Sequence, residues 1–328
     1  RLEGAVTICV YCAIFICVSL FGRISNGMIY TLIGSSSVLG IVSVLQLQGF
    51  NPFGLYPMGY NFFDSGVRYS GSYISTIGNA DLTGAYLSIV IPLLAFILLK
   101  SRLRLRFVAL LPLTLLLYTA LKMSVSALIV GLASALVVAV PVVLSFKRRS
   151  IYIYFFAVIS AFILLLIFIK NYCIGNGFFY ELHEILNGRI SDEFGSNRIR
   201  IWREVISVIP ERALLGKGAD TMIYENFEPF STYYPALSKT LTTSIDVAHN
   251  EYLNVLYHQG LLGLCSYLAI LFLTFAKFTK NPSALGVAAV AYSVQAFFGF
   301  SMCLTAPFFW VLLALINSKA DASAFSAN

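Results

Sequence analysis

Long runs of apolar residues, separated by short polar connections, dominate the chain. We count nine such runs, and the last of them, at 13 residues, is the shortest. They are Ala5–Phe21, Met28–Leu47, Leu82–Leu99, Phe107–Leu121, Val125–Phe146, Ile151–Ile169, Tyr252–Phe275, Ala284–Met302 and Leu304–Ile316. Most approach the ~20 residues that an α-helix needs to cross a bilayer. The pattern predicts an all-α, polytopic transmembrane helical bundle of about nine spans.

Composition supports this class. Of 328 residues, 59% are apolar, 11% are charged, and the mean hydropathy is +0.83. A soluble domain carries roughly a quarter charged residues, so a soluble enzyme, a disordered chain and a collagen-like chain are excluded. The chain begins with Arg1 and not with Met, and we expect that N-terminal spans precede it. We treat residues 1–328 as a single integral membrane domain.

The net charge of +7 is placed unevenly. One set of connections carries eleven Lys and Arg residues, whereas the opposite short connections carry three. Short cytoplasmic loops are enriched in positive charge, so the first set is predicted to be cytoplasmic. The basic excess is therefore a topology signal of a multi-pass membrane protein, and we expect membrane lipids and no nucleic acid as partners.

Two outer loops follow from this topology, 48–79 and 170–248. The first is rich in glycine and aromatic residues, and the second holds eight Lys/Arg and ten Asp/Glu within 79 residues. Connections longer than ~15 residues are usually functional or disordered. The apolar and aromatic content of the second loop predicts a folded external cap of short helices. Because the spans hold almost no ionisable groups, the outer boundary is the expected place of function, which speaks against a transporter.

Residues 196–209 in the second outer loop have the spacing of an amphipathic helix. Arg198 falls at the centre of its apolar face, while Arg200 and Arg203 fall on the polar face. An unpaired buried cation is costly, so Arg198 is predicted to hold an anion. The alternative is a first-turn arginine that turns out to water.

His249 precedes the span that begins near Tyr252. At helical spacing Gly260 and Gly263 share its face, which would let a helix or a lipid chain approach closely. The positive end of a helix dipole favours the neutral imidazole, the form that acts as a base. The alternative is a boundary histidine bonded to headgroups or backbone.

Arg68 lies among tyrosines, including Tyr69, in the first outer loop. A guanidinium matches phosphate, and aromatic rings pack on sugars, so this group suits a sugar phosphate. The alternative is an arginine that reaches to the membrane interface. No zinc-protease, nucleotide-loop or metal-ligand spacing is present, so no metal site is predicted. Gly216-Lys217-Gly218 is too short to indicate phosphate binding by itself.

Three motifs resemble one family. His249-Asn250, nine residues and then Gly260–Gly263 is similar to the signature of the O-antigen ligase / O-antigen polymerase family. Arg198 four residues before Trp202 resembles the large outer loop of that family, and the run that begins Arg68-Tyr69 resembles its earlier motif. The resemblance covers the chain from Arg68 to Gly263.

One position departs from the family pattern. Val125 stands where the family has an arginine, at the outer mouth of a span. Lys122, one turn away, is the candidate replacement for the missing charge. This departure favours a glycan polymerase over a strict ligase.

The resemblance implies a metal-independent, inverting glycosyltransferase that uses no cofactor. It would move a glycan from a polyprenyl-pyrophosphate donor to a hydroxyl of a glycan or lipid-core acceptor, on the outer face of the plasma (inner) membrane. Arg198, Arg68 and Lys122 would stabilise the pyrophosphate that leaves, and His249 would act as the base. The remaining predicted substrate-binding residues are Asn250, Trp202, Tyr69, Gly260 and Gly263.

Three alternatives stay open at this stage. The first is a polyprenyl-glycan flippase or another transporter, which would translocate a substrate without forming a covalent product. The second is a non-catalytic membrane scaffold, which would tolerate loss of His249. The third concerns the acceptor, because ligation and polymerisation differ in loop surfaces that carry no recognisable motif.

Overall fold

The computed structural model describes residues 4–50, 53, 55, 75–173, 175, 177–234 and 239–318. Six of its helices are long and apolar enough to cross a membrane. They are α2 (Asn26–Leu47), α3 (Ala80–Lys100), α4 (Leu103–Met123), α5 (Ser126–Val143), α6 (Arg148–Asn171) and α9 (Glu251–Lys280). Three shorter apolar helices accompany them: α1 (Ala5–Phe21), α10 (Ala284–Gln295) and α11 (Ala306–Asn317).

The three shorter helices leave the expected number of nine spans unconfirmed. Both α10 and α11 contain 12 residues, a rise of ~18 Å against ~30 Å for the hydrocarbon core. The apolar run that predicted a span over 284–302 ends its helix at Gln295, and residues 296–305 contain no helix. Apolar composition alone did not distinguish these half-length helices from spans, so six of the nine predicted spans meet the length requirement.

Helix α3 forms the centre of the bundle. Asn79 caps its first turn by accepting a hydrogen bond from Leu82 N at 3.0 Å, and most of its side chains are buried. Helix α10 packs against both α3 and α5. Its approach to α5 requires Gly131, where a methyl group would lie 2.8 Å from the Ala291 carbonyl oxygen. Helices α3, α5 and α10 therefore form the closely packed centre of the bundle.

The described part of the second outer loop folds as a set of short elements. It contains α7 (Phe178–Leu186), α8 (Arg198–Val208), two 3-10 turns and an antiparallel hairpin of β1 (Phe230–Tyr234) and β2 (Lys239–Thr243). The prediction of a cap of short helices missed this hairpin. Its threonines and tyrosines are residue types that favour strands, and this was the available signal.

Helix α9 is broken at Gly260, which has φ +67° and ψ −168°. A straight helix would separate Glu251 from Tyr267 by ~24 Å, yet Glu251 Oε1 accepts a hydrogen bond from the Tyr267 hydroxyl at 2.8 Å. Residues 251–259 therefore fold back beside residues 261–280. The expectation that His249, Gly260 and Gly263 share one face of a continuous helix is wrong, because the helix does not continue through Gly260.

Candidate functional site

The backbone around His249 is held on both sides. Ala248 donates its N–H to Asn254 Oδ1 at 2.9 Å, and its carbonyl oxygen accepts from Trp202 Nε1 at 2.8 Å. On the other side, Asn250 Oδ1 accepts from Leu253 N at 3.0 Å and so caps α9. Between these contacts His249 adopts φ +48°, a left-handed conformation that is uncommon for a residue other than glycine. The surrounding bonds therefore restrain the backbone from which the imidazole projects.

The imidazole of His249 lies beside a carboxylate of α3. Its Nδ1 is 3.9 Å from Asp81 Oδ2, and its ring meets the ring of Phe300 edge-on at 5.1 Å. Asp81 belongs to the first turn of α3, where the helix dipole favours a negative charge. The side chain of His249 is 30% exposed, so it is accessible as well as oriented.

Arg198 begins α8 and interacts electrostatically with the same carboxylate. Ser196 and Asn197, both at positive φ, turn the chain immediately before it. Its Nη1 donates to the Gly195 carbonyl oxygen at 2.9 Å, while its Nε is buried and has no hydrogen-bond partner among the described residues. Asp81 thus lies close to the imidazole of His249 and also interacts electrostatically with the guanidinium of Arg198.

The two other arginines of α8 are engaged elsewhere. Arg203 pairs with Asp192 at 2.6 Å, and Arg200 lies 3.6 Å from the carboxylate of Glu228. The prediction that Arg203 lies on the polar face of α8 is therefore confirmed, because its side chain is 63% exposed. Of these three arginines, Arg198 is the one that interacts electrostatically with Asp81.

A strip of main chain from the outer loop fills the break in α9. The N–H groups of Lys217 and Gly218 donate to the carbonyls of Tyr257 and His258, at 2.8 and 3.1 Å. Leu261 and Leu262 donate in return to Ala213 and Leu214, at 2.8 and 3.3 Å. We call residues 213–218 the docking strip. It joins the outer loop to the span beneath His249.

Two glycines permit this contact. A methyl group on Gly260 would lie 2.4 Å from the Leu214 carbonyl oxygen, and one on Gly216 would lie 2.5 Å from the Gln259 nitrogen. Gly260 was predicted to line a lipid groove, but backbone from the docking strip occupies its free side instead. Gly263 lines a cavity that is described below.

Lys217 secures the docking strip with side-chain bonds. Its Nζ lies 2.6 Å from Glu211 Oε2 and 2.8 Å from Glu225 Oε1, and Glu225 also accepts from the Tyr257 hydroxyl at 2.8 Å. Desolvation acts to lower the pKa of Lys217, but the hydrogen bonds to the two glutamates outweigh it and raise that pKa. The bond from Lys217 lowers the pKa of the Glu225 carboxyl. The short Gly-Lys-Gly run is therefore a docking element.

A comparison with models of known protein families shows to which family the chain belongs. A sequence model described as O-antigen ligase matches residues 80–268, more than half of the chain. The chain belongs to the O-antigen ligase family. The match begins at the outer end of α3, next to Asp81, and extends through Arg198 and His249. No curated protein matches the sequence.

Membership of the O-antigen ligase family establishes the general class of the protein. The protein is a multi-pass membrane protein and an O-antigen ligase-type enzyme of surface polysaccharide biosynthesis, which acts on lipid-linked glycans. The family match gives no support to the flippase alternative.

The remaining predicted site residues of this O-antigen ligase family member divide into two groups. Arg68 and Tyr69 lie outside the described residues. Lys122 lies exposed at the outer end of α4, with Nζ 5.8 Å from the centre of the Tyr118 ring. Within the described part of the chain, no hydrogen bond or ion pair joins Lys122 to His249 or Arg198. Its predicted contact with substrate stays a prediction.

Val125, which replaces the expected arginine, is next to α3. A methyl group on Gly84 would lie 3.5 Å from Val125 Cγ1, one helical turn below Asp81. Trp202 and Asn250 bind backbone in this structure, and their predicted substrate contacts also stay predictions. No cluster of three or more His, Cys, Asp or Glu residues that could hold a metal ion occurs in the described ranges.

Proposed function

We propose that the protein transfers a glycan from a polyprenyl-pyrophosphate carrier to an acceptor hydroxyl, on the outer face of the plasma membrane. The observation that carries this proposal is that Asp81 Oδ2 lies 3.9 Å from His249 Nδ1 and that the same carboxylate interacts electrostatically with Arg198. A base for the acceptor and a cation for the leaving group are needed within one site, and these three side chains supply both. The basic connections on the opposite side support the outer location.

His249 is the proposed base. Since Nδ1 faces Asp81, the tautomer with its proton on Nδ1 is favoured, and the lone pair of Nε2 is left for the acceptor hydroxyl. The distance of 3.9 Å exceeds a hydrogen bond, and such contacts often shorten when substrate binds. The acceptor oxygen gains a bond to the anomeric carbon as its proton passes to Nε2. Asp81 then stabilises the imidazolium.

Arg198 is the proposed cation for the leaving group. When the bond from the anomeric carbon to the phosphate oxygen breaks, its electron pair remains on the pyrophosphate, and a fixed guanidinium stabilises that charge. The buried Nε of Arg198 offers a donor for this purpose. Attack from the side opposite the pyrophosphate inverts the anomeric centre. These residues accomplish the transfer by positioning, proton transfer and charge stabilisation.

The test is His249→Ala in a deletion strain of the source organism, read as surface glycans on gels. We expect loss of transferred glycan at unchanged protein level, since a general base contributes roughly 10²–10⁴-fold. His183→Ala is the matched control, because His183 lies in α7 and its Nδ1 contacts the Ile169 carbonyl oxygen at 2.7 Å. Normal glycan ladders from His249→Ala would refute the base role.

The same gels separate the two acceptor classes. Loss of long chains with single units retained indicates polymerisation, which the valine at position 125 favours. Accumulation of polymer on its carrier indicates ligation. Vesicles that translocate carrier-linked glycan without forming product would instead support the transporter alternative.

A further inference from the structure

A cavity of about 320 Å³ lies next to the candidate site. It is bounded by α1, by both parts of α9 and by α11, and residues of the second outer loop also line it. It owes its shape to the break at Gly260, because residues 251–259 fold back and leave a wedge above Tyr267. Its volume is at the lower end of the ~300–1,000 Å³ that ligand sites occupy.

The charge of this cavity is opposite to that of Arg198. Asp220, Asp246 and Glu251 line it together with the titratable His258, and the described residues that line it include no lysine or arginine. A wall of this charge repels a pyrophosphate or any other anionic group. The cavity therefore fits a neutral or cationic ligand and does not fit the charged end of the donor.

The other lining groups suit a sugar. Asn254, Gln259 and Ser266 supply amide and hydroxyl groups that bond to hydroxyls. The rings of Tyr11 and Trp310, also in the wall, are stacked with centroids 6.2 Å apart and planes at 19°. A mainly apolar and aromatic wall with a few polar groups is typical of small-ligand sites, and an aromatic face can cover the C–H face of a pyranose.

The cavity and the imidazole share one stretch of chain. Asp246, Val247 and Glu251 line the cavity and flank His249 in the chain, while the His249 ring itself lies against Asp81 and Phe300 and is not part of the cavity wall. We propose that this cavity binds the acceptor: an uncharged or amino-bearing sugar that presents its hydroxyl to His249. The inference rests on the proposed function and adds the substrate class of a second subsite, separate from the pyrophosphate at Arg198.

The chain itself provides a reporter. It contains two tryptophans, and Trp202→Phe leaves Trp310 in the cavity wall as the sole fluorophore. The probe is the repeat-unit oligosaccharide of the source organism, freed from its carrier and titrated into the purified full chain. We expect a saturable change in Trp310 fluorescence. Ser266→Leu, which fills the cavity, should weaken binding by about tenfold, and Ser160→Leu on α6 is the matched control.

Inorganic pyrophosphate is the opposing probe. It should leave Trp310 fluorescence unchanged, since the cavity is acidic. A pyrophosphate-induced change that Ser266→Leu removes, or a flat oligosaccharide titration, would overturn the proposal. Should Trp202→Phe not fold, Asp246→Asn in the otherwise unchanged chain replaces it. That variant should raise the acceptor KM about tenfold with kcat and donor KM unaltered, and an unaltered acceptor KM would contradict the cavity assignment.

Failure of this inference and failure of the proposed function look different. If His249→Ala abolishes transfer while Trp310 does not respond to the oligosaccharide, the function stands and the acceptor cavity is wrong. If Trp310 responds while His249→Ala transfers glycan normally, the cavity binds sugar and the assigned chemistry is wrong.

Discussion

Arg198 and Lys217 are both cations of the second outer loop, and both lie near α9, but their surroundings differ. Lys217 is bonded to two carboxylates within 2.8 Å. Arg198 donates to one carbonyl, shares Asp81 with His249, and keeps a buried Nε without a described hydrogen-bond partner. The saturated cation holds the structure together, whereas the incompletely bonded one has donor capacity left for an anionic substrate.

Replacement of Arg198 should give the largest effect. Arg198→Lys keeps the positive charge but replaces the planar guanidinium, which can bind a phosphate through two donors, with a single ammonium. We expect turnover to fall roughly 10²-fold. Arg200→Lys is the matched control, because Arg200 lies on the same helix and is engaged with Glu228, at 3.6 Å from its carboxylate. Glycan transfer by membranes at matched protein level is the measurement. Equal loss in both variants would contradict the distinct role of Arg198.

Asp81→Asn should have the next largest effect. Asp81 is a positioning residue, so we expect kcat to fall about tenfold or more, with a smaller change in donor KM. The pH–rate profile is the decisive readout. Its acid limb should move to lower pH, because the imidazolium of His249 loses the carboxylate that stabilises it. A lower rate with an unmoved profile would mean that Asp81 is only structural.

Gly260→Ala tests the docking strip. A methyl group there would lie 2.4 Å from the Leu214 carbonyl oxygen, and alanine would also be strained at the φ of +67° that Gly260 adopts. We therefore expect a loss of about 2–4 kcal/mol in the free energy of unfolding. Thermal unfolding of the purified protein measures it. Gly34→Ala, with no atom near its added methyl group, is the control and should be neutral or slightly stabilising. Equal melting temperatures would contradict the tight contact.

Lys217→Met should have the smallest effect on activity and a measurable effect on stability. We expect a loss of about 1–2 kcal/mol, since two partly exposed ion pairs disappear, with glycan transfer retained once the protein is folded. A lack of transfer at normal stability would place Lys217 in the substrate site.

The pH dependence of the same network follows from its pKa shifts. Since the pKa of Glu225 is lowered, its contribution is complete above the ordinary value of 4.5 and is lost as the pH falls below it. The pKa of Lys217 is raised, so its contribution is complete below the ordinary value of 10.5 and is lost as the pH rises above it. Lys217→Met should therefore matter most between these limits.

Much of the site was predictable because local spacing decides it. The amphipathic pattern of α8 set Arg198 apart from Arg203, and the motifs selected His249. Asp81 was missed because it is distant in the chain from both and belongs to no recognised motif. A carboxylate in the first turn of an otherwise apolar helix, two residues after the cap Asn79, was the signal available.

The break in α9 and the short helices α10 and α11 escaped prediction, and the reason is different from that for Asp81. Apolar residues satisfy a full span and a half-length helix equally, so the run over 284–302 gave no indication of its end at Gln295. Gly260 fits the small-residue pattern of helix packing as well as it fits a break. Only the tertiary contact with Gly216 decides between the two.

The docking strip sets a rule for exchanging parts between members of the family. Its four main-chain bonds depend on backbone shape and on two glycines, and they tie residues 213–218 to residues 257–262. Suppose that a chimaera receives an outer loop from another family member. If both junctions lie within the loop and outside residues 213–218 and 257–262, the four bonds between these two segments stay native. A junction placed between these two segments would combine docking residues from two different proteins, and the four backbone N–H groups could then lose their carbonyl acceptors.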